Sequence, residues 1–157
     1  MNKANVEQPK KRLVLGKNWF HAIRRDPKIR ENSSMPGTTL VERKEGFASY
    51  LYNPKTSGMC CVGIYLKEIC GLTLNILAKK VIVCGSTFKN GLLEEAHWLI
   101  DETTRTYSND AGLLYKGNDG HLGSFPKDLA PKEFAKVQRA IISEVFGRHN
   151  VEVVFED

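Results

Sequence analysis

Met59-Cys60-Cys61-Val62-Gly63-Ile64-Tyr65-Leu66-Lys67-Glu68-Ile69-Cys70-Gly71-Leu72 sets two adjacent thiols where a helix starts. Val62, Tyr65, Leu66 and Ile69 recur at helical spacing, and Gly71 can take the left-handed conformation that closes a helix, with Leu72 folding back onto it. The spacing predicts a helix from about Cys60 to Cys70. Thiols in its first turn would feel the positive end of the backbone dipole, which lowers a cysteine pKa. Small cysteines that simply pack in a core explain the same residues, and that reading carries more weight.

Upstream of this helix, Thr38 to Glu42 and Phe47 to Tyr52 are rich in β-branched and aromatic residues, with Lys44-Glu45-Gly46 between them to turn a hairpin. Asn32 to Gly37 reads as a loop. Leu13-Val14-Leu15, Trp19, Phe20 and Ile23 read as a short apolar element leading into a helix that Asp26-Pro27 ends, because the residue before proline avoids helical angles. Residues 1–12 are polar and read as a disordered basic arm, with the folded domain spanning 13–157.

Downstream, Val81 to Gly85 is an apolar run short enough for a buried strand, and Leu92 to about Thr103 has a helical pattern. Ser108 to Pro126 carries Gly112, Gly117, Gly120 and Gly123, so it reads as the longest irregular segment and the natural place for a functional loop. Phe134, Val137, Ile141 and Val145 form one stripe of a final helix ended by Gly147, and Val151 to Phe155 follows as a strand. The expected fold is a single compact α+β domain with a small, mostly antiparallel sheet and three to four helices.

Composition narrows the function classes. At 157 residues with 41% hydrophobic and 26% charged side chains, the chain can bury its own core without a metal or disulfide. No apolar run reaches membrane-span length, and the N-terminal residues lack the apolar centre of a signal peptide. A cytoplasmic protein with reduced cysteines is expected. Residues 1–30 hold nine basic side chains against two acidic ones, a local +7 that exceeds the +5 of the whole chain. Lys10, Lys11, Arg12, Arg24 and Arg25 are the candidate anion and nucleic-acid contacts. Without a groove-reading helix or a stacking platform, such a patch predicts weak, non-specific nucleic-acid binding.

Chemistry has few other places to reside. Cys60 or Cys61 could be a nucleophile with His97 or His121 as base. Adjacent and isolated cysteines do not match the paired spacing of structural zinc, and neither a metal site nor a cofactor is expected. Asn109, Asp110, Asn118, Asp119 and His121 cluster in the glycine-rich stretch as candidate ligand-binding residues, although turns stabilised by Asn and Asp side chains account for them as well. His21 and His149 read as structural, the latter because a cation after a helix end suits the dipole.

Two resemblances bear on these residues. Cys61-Val62-Gly63 is similar in part to the nucleophile helix of papain-like cell-wall peptidases, but Asp119-Gly120-His121 runs into a polar loop where those enzymes place histidine at a strand start. More of the chain resembles small uncharacterised proteins of tailed phages and bacterial prophages, in which an aromatic strand precedes a Cys-Cys-Leu-Gly helix start, a central Asn-Asp and a C-terminal helix-strand unit. Phe47 to Tyr52, Met59 to Leu72, Thr106 to Asp110 and Val137 to Asp157 occupy those roles, with Val62 in place of leucine. This resemblance implies a phage or prophage accessory protein that binds a host protein or a small anionic, nucleotide-like ligand, and it supplies no catalytic residue. The competing class is a small cysteine- or metal-dependent hydrolase.

Overall fold

Strands from opposite ends of the chain pair with each other. The structure is a computed structural model that describes residues 10–22, 51–78, 80, 82–88, 91–120 and 130–156. Strand β1 (Lys11–Leu15) and strand β2 (Val151–Phe155) lie side by side in parallel, with Leu13 in register with Val153. The expectation of a mostly antiparallel sheet is therefore corrected: among the described residues the sheet has two strands, and they are parallel. Parallel neighbours need a long crossover, and here almost the whole chain supplies it. The boundary of the basic arm also moves, since Lys11 and Arg12 begin β1. The loop at 32–37 and most of the proposed hairpin lie outside the described residues, as do Ile23, Asp26 and Pro27. Tyr52 contributes an isolated parallel bridge to Ala78.

Helix α1 (Cys61–Glu68) begins and ends as its spacing predicts. Cys60 caps it, its sulfur accepting from the Gly63 N–H at 3.4 Å. At the other end Gly71 adopts φ +77°, which returns the Leu72 N–H to the Leu66 carbonyl at 3.0 Å. Every residue from Cys61 to Leu66 is buried. A helix wrapped on all sides needs a place where a neighbour comes close, and Gly63 provides it: a Cβ there would collide with the Leu51 carbonyl oxygen.

The chain continues through the short helix α2 (Leu74–Leu77) and two 3₁₀ helices, Gly85–Thr87 and Glu94–Leu99. The run from Ile82 to Gly85 forms no strand: two of its backbone donors go to side chains, and the Gly85 N–H goes to the Arg105 carbonyl at 3.0 Å. Val83 N–H reaches the Tyr115 hydroxyl at 2.7 Å, and Cys84 N–H the Thr87 hydroxyl at 3.1 Å. Only the middle of the expected 92–103 helix winds up, and then as the tighter 3₁₀ form, before Ile100 bridges to Tyr107.

The expected glycine-rich loop is the largest departure. Its first half is helix α3 (Asn109–Asp119), capped by the Ser108 hydroxyl on the Ala111 N–H and closed by Gly120 at φ +74°. Gly112 sits in that helix because the Tyr107 ring lies against it. Helix α4 (Pro131–Gly147) packs on α3 and covers β2, while α1 packs on α3 and β1. The buried face of α4 comprises Phe134, Gln138, Ile142, Val145 and Phe146; Val137 and Ile141 flank it, half-buried. Among the described residues no helix is long and apolar enough to cross a membrane.

Candidate functional site

Two fully buried amides tie the elements together. Asn118, at the end of α3, accepts from Trp19 Nε1 at 2.7 Å and from the Cys61 N–H at 3.1 Å, and donates to the Phe20 carbonyl at 3.0 Å. Its partner in this role is Gln138 of α4, whose Nε2 lies within 3.2 Å of the carbonyls of Ala22, Gly117 and Asn118. Buried polar groups persist where their hydrogen bonds are met, and these two are met from three separate segments: 19–22, Cys61 and 117–119. Asn118 is thus occupied structurally. Beside it, His21 stacks on Trp19 at 3.7 Å and donates from Nδ1 to the Ala22 carbonyl, and burial holds its pKa below the usual value.

The thiols of Cys60 and Cys61 are sealed in the same region, both at 0% exposure. Burial pushes Cys60 up to about 12 and Cys61 upward as well. Cys61 Sγ points at the Leu114 carbonyl, 3.9 Å away. Nucleophilic chemistry requires the thiolate, and this environment opposes it. His97 is exposed on the 3₁₀ helix at 94–99 and does not share a cavity with the pair, while His121 lies outside the described residues. Arg24 and Arg25 lie outside them too.

The remaining candidates divide along α3. Asn109 and Asp110 occupy its first turn and Asn118 and Asp119 its last, so roughly 12 Å of helix separates the two groups. Asn109 is exposed, and Asp119 accepts from Asn118 Nδ2 at 3.2 Å. Asp110 is drawn to the other end of the molecule. Its carboxylate receives His149 Nε2 at 2.7 Å and Arg148 at 3.1 Å, from the turn that joins α4 to β2. The His149 ring stacks flat on Trp98, with centroids 3.9 Å apart and planes at 10°. Its Nδ1 has no hydrogen-bond partner among the described residues.

That ring opens on a cleft of about 710 Å³, lined by Lys10, Lys11, Tyr65, Glu94, Glu95, Trp98, His149 and Asn150. Lys11 reaches Glu95 at 3.8 Å. The Tyr65 hydroxyl donates to the Glu95 carbonyl and accepts from Trp98 Nε1, and burial raises it to about 12. Cys70, beside Tyr65, is also raised to about 12, by burial and then by the Glu95 charge. Both protons are therefore retained at neutral pH. What the cleft offers is an imidazole oriented by a carboxylate, two ammonium groups, two carboxylates and an indole: cationic donors for an anionic group and acceptors for a polar donor. Asp110, Lys10 and Lys11 are candidates from the sequence, whereas His149 reads there as structural, since nothing local joins residues 39 positions apart.

Arg12 faces a different groove, of about 590 Å³, which also takes Val14, Lys17, Tyr52, Ile64, Lys67 and Glu156. Among the described residues no group of three or more His, Cys, Asp or Glu side chains is placed to hold a metal ion. Comparison with protein-family models, with curated proteins and with solved structures finds no match.

Proposed function

We propose that this protein is an accessory binding protein of the phage or prophage type, and that the His149 cleft takes a small anionic, nucleotide-like ligand. The carrying observation is the convergence on one cleft of Asp110-oriented His149, stacked on Trp98, with Lys10 and Lys11. The lysines suit a phosphate, the exposed part of the His149–Trp98 stack suits a planar ring, and Glu94 and Glu95 can accept from amino or hydroxyl groups. A cleft of this volume is in the usual range for such ligands. The phage and prophage assignment rests on the resemblance of the ordered segments, and weak, salt-sensitive association of the basic N-terminal residues with nucleic acid goes with it.

The test is calorimetric titration with adenosine diphosphate and, separately, inorganic phosphate. The expected result is saturable binding of the nucleotide, stronger than that of phosphate, and weakened at least about tenfold by His149→Ala or Lys11→Ala, a loss of about 1.4 kcal/mol. Nucleotide binding that is absent, or indifferent to both substitutions, rejects the cleft as its site.

A further inference from the structure

Among the described residues, strand β1 is partnered on one side only. Lys11 N–H donates to the Asn150 carbonyl at 3.1 Å and Glu156 N–H to the Leu15 carbonyl at 2.9 Å, so Lys11, Leu13 and Leu15 aim their backbone groups at β2. Alternation along a strand sends those of Arg12 and Val14 to the opposite edge. There they meet no partner among the described residues, and the edge opens on the 590 Å³ groove. Val14 stands on it with 39% of its surface exposed, one of three large apolar residues so exposed among the described residues. No proline or bulge blunts this edge, which leaves it a template for another strand.

We infer that the edge is covered by the same edge of a second copy of this chain, running antiparallel, with Val14 on the two-fold axis. Charge selects both occupant and register. Continuing the β1–β2 register sets Gly16 beside Glu156, and the Glu156 carboxylate leans over Gly16, its Oε1 3.3 Å from where a Cβ would stand. In an antiparallel pair centred on Val14, Arg12 of each copy lies opposite Gly16 of the other. The absent side chain leaves the guanidinium a clear path to Glu156 of that copy. Neither Arg12 nor Glu156 has an ion partner among the described residues. Closing the two-fold therefore forms two Arg12–Glu156 pairs, covers both Val14 side chains and extends the sheet to four strands in the order β2, β1, β1, β2. A slide of two residues would set Arg12 opposite Val14 and Val154, with the carboxylates of Glu152 and Glu156 only diagonal to it. An isologous contact of this kind closes on itself and does not propagate.

Sedimentation equilibrium on the full chain, from micromolar to millimolar protein, reads the association directly. The mass is expected to rise from 17.7 kDa toward twice that value with concentration. Arg12→Glu and Glu156→Arg should each weaken dimerisation about tenfold, or about 1.4 kcal/mol, and the double exchange should restore it. Val14→Asp, which leaves both charges in place, should also give monomer. All these positions face solvent, and circular dichroism checks that each variant folds. A chain that stays monomeric throughout, or a dimer indifferent to Arg12→Glu and Val14→Asp, overturns the inference. A double exchange that fails to restore association overturns the Arg12–Glu156 register.

Discussion

Cys60 and Cys61 stand at the positive end of a helix, yet the dipole does not decide their chemistry. A helix terminus contributes roughly 0.3–1 kcal/mol, less than the about 1.4 kcal/mol that corresponds to one pKa unit. Burial acts in the opposite sense and is larger, moving Cys60 from 9.0 to about 12. Cys84 shows the converse: only half-buried and hydrogen-bonded with the Ser86 hydroxyl at 3.0 Å, it is lowered. A short pulse of iodoacetamide on native protein at neutral pH should therefore modify Cys84 first, with Cys60 and Cys61 protected until the protein unfolds. Peptide mass spectrometry checks the order, and labelling of Cys60 or Cys61 at the rate of Cys84 would reject it. Because their folded pKa values are raised, the two buried thiols contribute stability that is fully present below pH 9 and declines as pH rises through the folded values.

At the scale of an element, α1 and α3 show glycine serving close approach instead of flexibility. Glycine inside a helix ordinarily costs about 1 kcal/mol relative to alanine, so an exposed Gly63 would be improved by Gly63→Ala. Here the added methyl would meet the Leu51 carbonyl oxygen, backbone that cannot swing aside. Gly63→Ala is expected to destabilise the protein by about 3 kcal/mol or more, and a chemical-denaturation midpoint equal to or above that of the parent would show that α1 does not abut Leu51. The helix-start pattern of residues 60–72 was legible because capping, periodicity and the closing glycine are all local. Residues 108–119 run against their local signal for the same reason: Gly112 and Gly117 signal a loop locally, whereas the Tyr107 ring that accounts for Gly112 comes from outside the helix.

Across the whole molecule, the two ends of the chain hold each other. β2 is the strand partner of β1 among the described residues, Phe155 lies 5.3 Å from Trp19, and His149 reaches back to Asp110. Removing residues 148–157 strips β1 of its ladder and uncovers the face of α4 that packs on β2. A chain ending at Gly147 should lose its cooperative thermal transition, as followed by circular dichroism. A melt like that of the full chain would mean that the terminal strands are not structural partners.

The sequence by itself determined α1 with both of its ends, the existence of α4 and its end at Gly147, and the strand at Val151 to Phe155, because each depends on periodicity and terminal residues within its own span. It also marked Lys10 and Lys11 as groups able to meet an anion and Asp110 as a candidate ligand-binding residue. Tertiary structure alone decided that β1 and β2 run parallel, that Gln138 and not Val137 enters the core, and that Asp110 orients His149 beside Lys11. Those outcomes depend on which surfaces exclude water together and which buried amides find partners, and such pairings join segments whose separation along the chain leaves no local trace.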